Sequence, residues 1–235
     1  MKQSQFYYLL RRGLFSAGSA IIKNGLVMFN KFTTAGISHP AQGSAEFNGT
    51  SDYIDTGAQL IQTTHSVSAW VYFEGTSNGL VVCSRDSGFD GFYLLMTSSQ
   101  YPYYRVNNST ITTSTAYSNE WVHLVATYDG TTQKLYVNGS QVGSATTSQT
   151  ISVTTDTRIG AESYSLNNYF TGNLANVAIW NRALSSDEIN SVMWKSYEAL
   201  SGAESNGLQA WYSLDDISGT SVPDSSGNGN TGTAN

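Results

Sequence analysis

Charge is scarce in this chain. Asp, Glu, Lys and Arg together make up 12% of its 235 residues, with 11 basic side chains against 17 acidic ones and a formal net charge of −6. Proteins that hold nucleic acid draw their affinity from clustered Lys and Arg. The closest basic pair here, Arg11-Arg12, is too small to steer a polyanion, so nucleic acid is not an expected partner. Cysteine is nearly absent: Cys83 stands alone, which excludes an intramolecular disulfide and a thiolate metal cluster. Its position in the run Leu80 to Ser84 reads as a small buried apolar side chain. No apolar run approaches the roughly 20 residues a bilayer-crossing helix needs, so no membrane span is expected and the chain reads as soluble. Proline occurs only three times.

The first residues have some features of a secretory signal, but the apolar patch Phe6 to Leu10 is cut short by Arg11-Arg12. A signal peptide needs an uninterrupted apolar region of about 7 to 15 residues. The segment is therefore read as retained and the protein as not exported by that route. Residues 1–43 form an N-terminal arm in this reading, with Phe6, Leu9, Leu10, Leu14 and Phe15 near helical spacing and a second apolar patch at Leu26 to Phe29. Such an arm is either disordered or packed on a partner; packing in an assembly is preferred, because large apolar side chains left in water are a liability. The four Asn-x-Ser/Thr sequences, at Asn48, Asn107, Asn108 and Asn138, then mark polar turns.

What the chain has in quantity is Gly, Ser, Thr, Asn and Tyr, arranged in short alternating runs. The clearest is Glu120 to Ala145, where alternation along Trp121 to Tyr128 breaks at Asp129-Gly130, resumes at Leu135 to Val137 and breaks again at Asn138-Gly139. Asp-Gly and Asn-Gly supply the positive φ angles of tight hairpin turns, so this stretch predicts three antiparallel strands. Further strands are predicted on either side of the turn Asn48 to Asp52, and at His65 to Phe73, Leu80 to Ser84, Gly91 to Thr97 and Tyr101 to Val106. Others are expected at Thr157 to Gly160, at Phe170 to Trp180 with an interruption at Gly172-Asn173, and at Leu208 to Leu214. Ser185 with Glu188 forms a capping box ahead of the helical stripe Ile189, Val192 and Met193. A linker, Ser201 to Gly207, follows. The fold class is all-β: a two-sheet antiparallel jelly-roll sandwich with one short helix and an N-terminal arm.

Four blocks in order, AEFNGTSDYIDTG from Ala45, SVSAWVYF from Ser66, EWVHLVATYDGTTQKLYVNGSQVG from Glu120 and GNLANVAIWNRALSSDEI from Gly172, give the chain a resemblance. Together they resemble laminin-G-like members of the concanavalin-A-like lectin and glucanase superfamily. The resemblance spans roughly residues 44 to 195 and implies binding to carbohydrate or to a protein surface, without supplying the binding residues. One block is displaced. A segment like Gly207 to Thr233 usually precedes the AEFNG block in that family, whereas here it ends the chain. Either residues 207–235 are a permuted first strand and tail completing the sandwich of residues 44–235, or they begin a truncated second repeat. The first is preferred, because a lone strand would leave Trp211, Tyr212 and Leu214 exposed, and its slot is expected beside Val177 to Trp180.

Hydrolytic members of that superfamily carry a Glu-x-Asp-x-x-Glu constellation that flanks the glycosidic bond, and no such spacing occurs here. No catalytic residue is assigned and the chain is read as non-enzymatic. Histidines 39, 65 and 123 belong to no metal motif, and His123 reads as packed within the sheet. Gly227, Gly229 and Gly232 match a dinucleotide-loop spacing, but only three residues follow where a helix is required, so they are turn formers. No cofactor is required in this reading. Asp215, Asp216, Asp224 and Asn228 offer hard oxygen ligands for a structural calcium, although turn-forming Asx residues are the preferred account.

Candidate ligand-binding residues are Tyr101, Tyr103, Tyr104 and Arg105, near the loop holding Arg85, Asp86 and Asp90, together with Tyr164, Asn167 and Asn168. Sugar rings stack on aromatic faces while such polar groups bond their hydroxyls. Fifteen tyrosines against 11 basic residues favour a neutral polar ligand. The expectation is a non-enzymatic recognition module, glycan-binding or adhesive, made in a host cytoplasm and displayed on a virion. It would be a capsid decoration or tail-associated protein of a bacteriophage, held to other virion proteins by its arm in a homo- or hetero-oligomeric assembly. A purely structural cement protein without glycan binding is the alternative, and a glycoside hydrolase the third.

Overall fold

The computed structural model describes two short strands near the N-terminus and residues 43–235 apart from 88 and 89. The chain divides into two units, Met1–Ser38 and His39–Asn235. Within the first, β1 (Ile21–Lys23) pairs antiparallel with β2 (Leu26–Met28), Ile21 facing Met28. The apolar arm residues Phe6, Leu9, Leu10, Leu14 and Phe15 lie outside the described residues.

The second unit is a two-sheet antiparallel sandwich. Seven strands form one sheet: β3 (Ala45–Asn48), β5 (His65–Phe73), β10 (Trp121–Tyr128), β11 (Thr132–Val137), β12 (Ser140–Thr146), β14 (Thr171–Trp180) and β15 (Leu208–Tyr212). Its order is β12-β11-β10-β5-β14-β15, with β3 also on β14. Eight form the other: β4 (Ile54–Asp55), β6 (Gly79–Arg85), β7 (Gly91–Met96), β8 (Pro102–Val106), β9 (Ser109–Thr112), β13 (Arg158–Ile159), β16 (Ser221–Val222) and β17 (Gly232–Ala234). They run β16-β17-β4-β13-β6-β7-β8-β9.

Alternation explains which face each strand turns inward. Val67, Ala69, Val71 and Phe73 of β5 and Val122, Leu124, Ala126 and Tyr128 of β10 meet Phe92, Leu94 and Met96 of β7 and Tyr104 and Val106 of β8 in one continuous core. The opposite face of β5 and β10 is also buried, as its large side chains require. On that side of the sheet Val125 of β10, Trp180 of β14 and Trp211 of β15 are covered by Leu184, Ile189 and Val192, from α1 (Ser186–Val192) and the segment before it. Ser185 caps this helix, accepting from the Glu188 amide, while the Glu188 side chain returns to the cap backbone.

The element reading needs several amendments, and β16 and β17 are themselves strands in a tail for which none is expected. Gly172-Asn173 does not interrupt β14, which pairs with β3 and β5 through those residues; the register slips instead between Ala175 and Ala178, where Asn176 takes a φ of 47°. The linker Ser201 to Gly207 holds a second helical turn, α2 (Gly202–Ser205), because Ser201 and Glu204 form another capping box. The Trp180 indole then donates to the Glu204 carbonyl at 2.7 Å. Strand β9 lies in a polar run, Ser109 to Thr112, that carries too little alternation to be read as a strand.

Strand β14 has β5 along one side, while on its other side β3 pairs with its first half and β15 with its second. Val177 faces Tyr212 and Ile179 faces Ala210, so the segment from Leu208 completes this sheet beside Val177–Trp180.

Candidate functional site

Phe92, Leu94 and Met96 point into the core, so Tyr93 and Leu95 must face outward on β7. The register then lays out a row across seven strands: Thr233, Asp55, Arg158, Cys83, Tyr93, Arg105 and Thr110 are successive cross-strand partners. A neighbouring row places Tyr103 between Leu95 and Thr112. The outer face of the eight-stranded sheet thus carries an aromatic and arginine-rich patch on a base of Leu80, Cys83 and Leu95.

Tyr93 and Tyr103 lie with ring centroids 5.9 Å apart and planes 11° from parallel. The Arg105 guanidinium sits 5.6 Å from the centre of the Tyr93 ring, and that of Arg85 at 5.9 Å. Arg105 donates from Nη1 to the Tyr93 hydroxyl at 3.0 Å and from Nε to the Asn107 carbonyl. Burial pushes the Tyr93 hydroxyl above its ordinary pKa, so it stays a neutral donor and acceptor.

The loop after β13 folds over one side of this face. Glu162, buried to 4% exposure, pairs with Arg85 at 2.6 Å and accepts from the Ser165 hydroxyl at 2.6 Å. Ser163 clasps β6: its hydroxyl accepts from the Arg85 amide at 2.8 Å and donates to the Arg85 carbonyl at 2.9 Å. Arg158 donates to the carbonyls of Glu162 and Ser163, pairs with Asp55 at 3.2 Å and lies 5.2 Å from the Tyr53 ring centre. Tyr164, at the loop tip, is 55% exposed. Beneath them the Cys83 thiol is pushed up to about 11 by burial, against a 3.5 Å contact with the Ser163 hydroxyl.

The residues expected from the sequence distribute unevenly. Arg85, Tyr103 and Arg105 come together around Tyr93, and Tyr164, Asn167 and Asn168 share the adjoining loop, where the Asn168 amide donates to Asn167 and that of Asn167 to Ser165. Tyr101 lies in the turn before β8, its backbone amide bonded to Thr97 Oγ1. Asp90 is exposed at the start of β7. Asp86 serves the scaffold: its carboxylate accepts from the backbone amides of Thr154 and Thr155, which outweigh its desolvation and hold it below the usual range. Tyr104 faces the other way. It is fully buried in the core, with its hydroxyl 3.1 Å from His65 Nε2, because it alternates with Tyr103 and Arg105. It is therefore corrected to a core residue. Tyr93, Arg158 and Tyr53 were not anticipated; the phase of the β7 alternation could have revealed Tyr93.

The calcium candidates do not fit a cation as a set. Asp224 accepts from the backbone amides of Trp211, Ser226 and Asn230 and from the Ser226 hydroxyl, which makes it a clasp for the C-terminal turns. Asn228 turns its amide toward the Leu208 and Gln209 carbonyls, and Asp216 accepts from the Ser213 hydroxyl. Among the described residues no group of three or more His, Cys, Asp or Glu is placed to hold a metal, and no helix is long and apolar enough to cross a membrane.

Comparison with solved structures places the fold. A Bacteroides ovatus protein described as a candidate carbohydrate-binding protein superposes with a TM-score of 0.66 at 18% identity, over 82% of this chain and 57% of its own. This chain therefore spans little more than half of that protein. The heptameric SAP-like pentraxin of Limulus polyphemus follows at 0.54 and 16% identity, covering 77% of this chain and 91% of its own. The CBM40 module of the Ruminococcus gnavus IT-sialidase, bound to α2,3-sialyllactose, superposes at 0.52 and 16% identity, covering 64% and 95%. No curated protein matches the chain in sequence. Residues 48–190, well over half of the chain, match the Laminin_G_3 family model, and the chain belongs to the concanavalin A-like lectin/glucanases superfamily.

Proposed function

We propose that the chain is a non-enzymatic glycan-recognition module whose contact surface is the outer face of the eight-stranded sheet. The observation that carries this reading is the near-parallel pair Tyr93 and Tyr103, bordered by Arg105 and Arg85. Near-parallel rings offer an apolar face to the C–H side of a sugar, and fixed guanidinium and amide groups beside them meet its hydroxyls. Arg85 and Arg158 are compensated by Glu162 and Asp55, so the surface suits a neutral polar saccharide better than an anion. Those same ion pairs tie Glu162 and Asp55 to Arg85 and Arg158 within the scaffold. The carbohydrate-binding descriptions of the Bacteroides and Ruminococcus proteins support the reading by fold.

The test is a printed array of neutral and sialylated oligosaccharides probed with the whole chain, followed by titration of the best binder against Tyr103→Ala. A neutral glycan bound by the parent and weakened at least about tenfold by Y103A is expected. Binding unaffected by that change would place the ligand elsewhere. Release of reducing sugar from any array member would return the protein to the enzymes.

Presentation on a virion through residues 1–43 is part of the same proposal and rests on the sequence pattern of that arm. Deleting those residues should abolish incorporation into the particle while leaving glycan binding intact; unchanged incorporation would end that part of it.

A further inference from the structure

A cleft of about 470 Å³ lies on the outer side of the seven-stranded sheet, away from the tyrosine pair. Its wall is built where the C-terminal strand meets the segment after α1. Tyr197 and Trp211 supply aromatic surface with ring centroids 6.5 Å apart, and Ser196, Ser213 and Ser225 supply hydroxyls. Glu198 and Asp216, both exposed, give it negative charge, with Asp215 beside them; none of its lining residues is basic. One more lining residue points to a ligand. Asn176 is 4% exposed, yet its Nδ2 has no acceptor in the described structure. A buried amide donor left unmade carries the cost of its lost hydration with nothing to offset it. The backbone keeps it there: Asn176 has a φ of 47° within the bulge of β14, and its backbone N–H donates to the Ser213 carbonyl at 3.1 Å.

We propose that this cleft binds a hydroxylated organic cation, of the amino-sugar class with a free ammonium group. The ammonium answers the carboxylates of Glu198 and Asp216. A ring carbon face meets Tyr197, and a hydroxyl oxygen accepts from the Asn176 amide. A bare divalent cation would leave both the aromatic wall and that amide unused, and the carboxylates present are not placed as a metal-binding group. A neutral sugar would use the wall but not the charge. The cleft depends on the displaced C-terminal segment, since Trp211, Ser213, Asp215, Asp216 and Ser225 all come from it.

The experiment is titration calorimetry of the whole chain at neutral pH with glucosamine, N-acetylglucosamine and glucose, each alone, and with glucosamine again in the presence of calcium chloride or of added sodium chloride. Glucosamine is expected to bind at least about tenfold more tightly than the two uncharged sugars, an advantage that added salt reduces. The double variant Glu198→Gln/Asp216→Asn, exposed positions that leave the core intact, should cost at least about tenfold. Asn176→Gly, which keeps the left-handed backbone, should weaken binding without lowering the melting temperature. Equal binding of the three sugars, no binding of any, or calcium binding that displaces glucosamine would each overturn the proposal. So would full binding by the double variant. Tyr103→Ala serves as the separating control: glucosamine binding that survives it belongs to the cleft, whereas binding lost with it belongs to the tyrosine face and overturns this inference alone.

Discussion

Tyr212 lies opposite Val177 in the antiparallel pair of β15 and β14, which makes a strand from the end of the chain part of the seven-stranded sheet. Its hydroxyl donates to the Asn230 carbonyl at 2.6 Å, and neighbouring Trp211, 2% exposed, meets Trp180 edge to face at 6.2 Å. Ending the chain at residue 206 would strip one edge of β14 and uncover Trp180 and Val177. We expect the truncated chain to be insoluble or unfolded, and Trp211→Ala to lose about 3–5 kcal/mol in urea denaturation. A soluble, cooperatively folding truncation would show that the segment is an appendage.

Asp224 organises the turns that hold that strand. One carboxylate satisfies three backbone amides and a hydroxyl, so Asp224→Ala should cost about 1–3 kcal/mol and expose the C-terminal tail to proteolysis. Asp224→Asn, which retains an acceptor oxygen, should cost less. If the turns are held by these bonds alone, a chelator leaves the melting temperature of the parent unchanged; a fall of several degrees, restored by calcium, would establish a structural cation instead.

Two buried histidines make the fold sensitive to acid. Burial lowers His65 to about 4 and His123 to about 3, from 6.5 in the unfolded chain. Below pH 6.5 the unfolded state therefore binds protons that the folded state refuses. Their contribution is complete above 6.5 and is lost as pH falls toward 4 for His65 and 3 for His123, with a slope of up to about 2.7 kcal/mol per pH unit while both titrate. Glu188 is held near 2 by Arg182, and Glu204 near 2 because Lys195 and Ser191 outweigh its burial. Their loss begins only below 4.5. Urea midpoints should thus fall between about pH 6.5 and 5, before the carboxylates respond; a flat profile over that range would contradict the buried neutral histidines.

The Cys83 thiol is fully buried and raised to about 11, so it should resist a thiol reagent in the native protein near pH 8 and react only on unfolding. Ser163→Ala removes its polar neighbour and the Arg85 clasp together, and is expected to speed labelling by loosening the loop. Prompt stoichiometric labelling of the parent would mean that the loop opens freely.

Much of this architecture was legible because hairpin turns and alternation are local. Asp129-Gly130, Asn138-Gly139 and the Ser185–Glu188 capping box announce their elements within a few residues, and the strand from Leu208 lies in the slot beside Val177 that its resemblance to a first strand implies. Facing was harder. Tyr103, Tyr104 and Arg105 are adjacent in sequence, but only the phase of β8 against the core decides that Tyr104 turns inward toward His65. Tyr93 and Arg158 stayed hidden because their partners are 12 and 103 residues away, at Arg105 and Asp55. The α2 turn was missed because Gly202 reads as linker, while what fixes it is Glu204 reaching back to Ser201 and across to Lys195.

Arg85 and Glu162 give the sharpest separation of stability from recognition. Glu162 is 5% exposed at its side chain and Arg85 21%, so the pair is neither a surface bridge of little worth nor a fully desolvated one. Removing the acid leaves the Arg85 guanidinium without its carboxylate and the Ser165 hydroxyl without its acceptor, which frees the loop bearing Tyr164 and Asn167. We expect Glu162→Ala to cost about 1–3 kcal/mol in global stability, and Glu162→Gln, which can still accept from Ser165, about half of that. If the tyrosine face is the binding surface, both variants should weaken the array-selected glycan by more than their stability loss explains, because Arg85 no longer holds its place over Tyr93. Measured well below the melting temperature, where every variant is folded, unchanged glycan affinity would confine Glu162 to structure and remove Arg85 from the site.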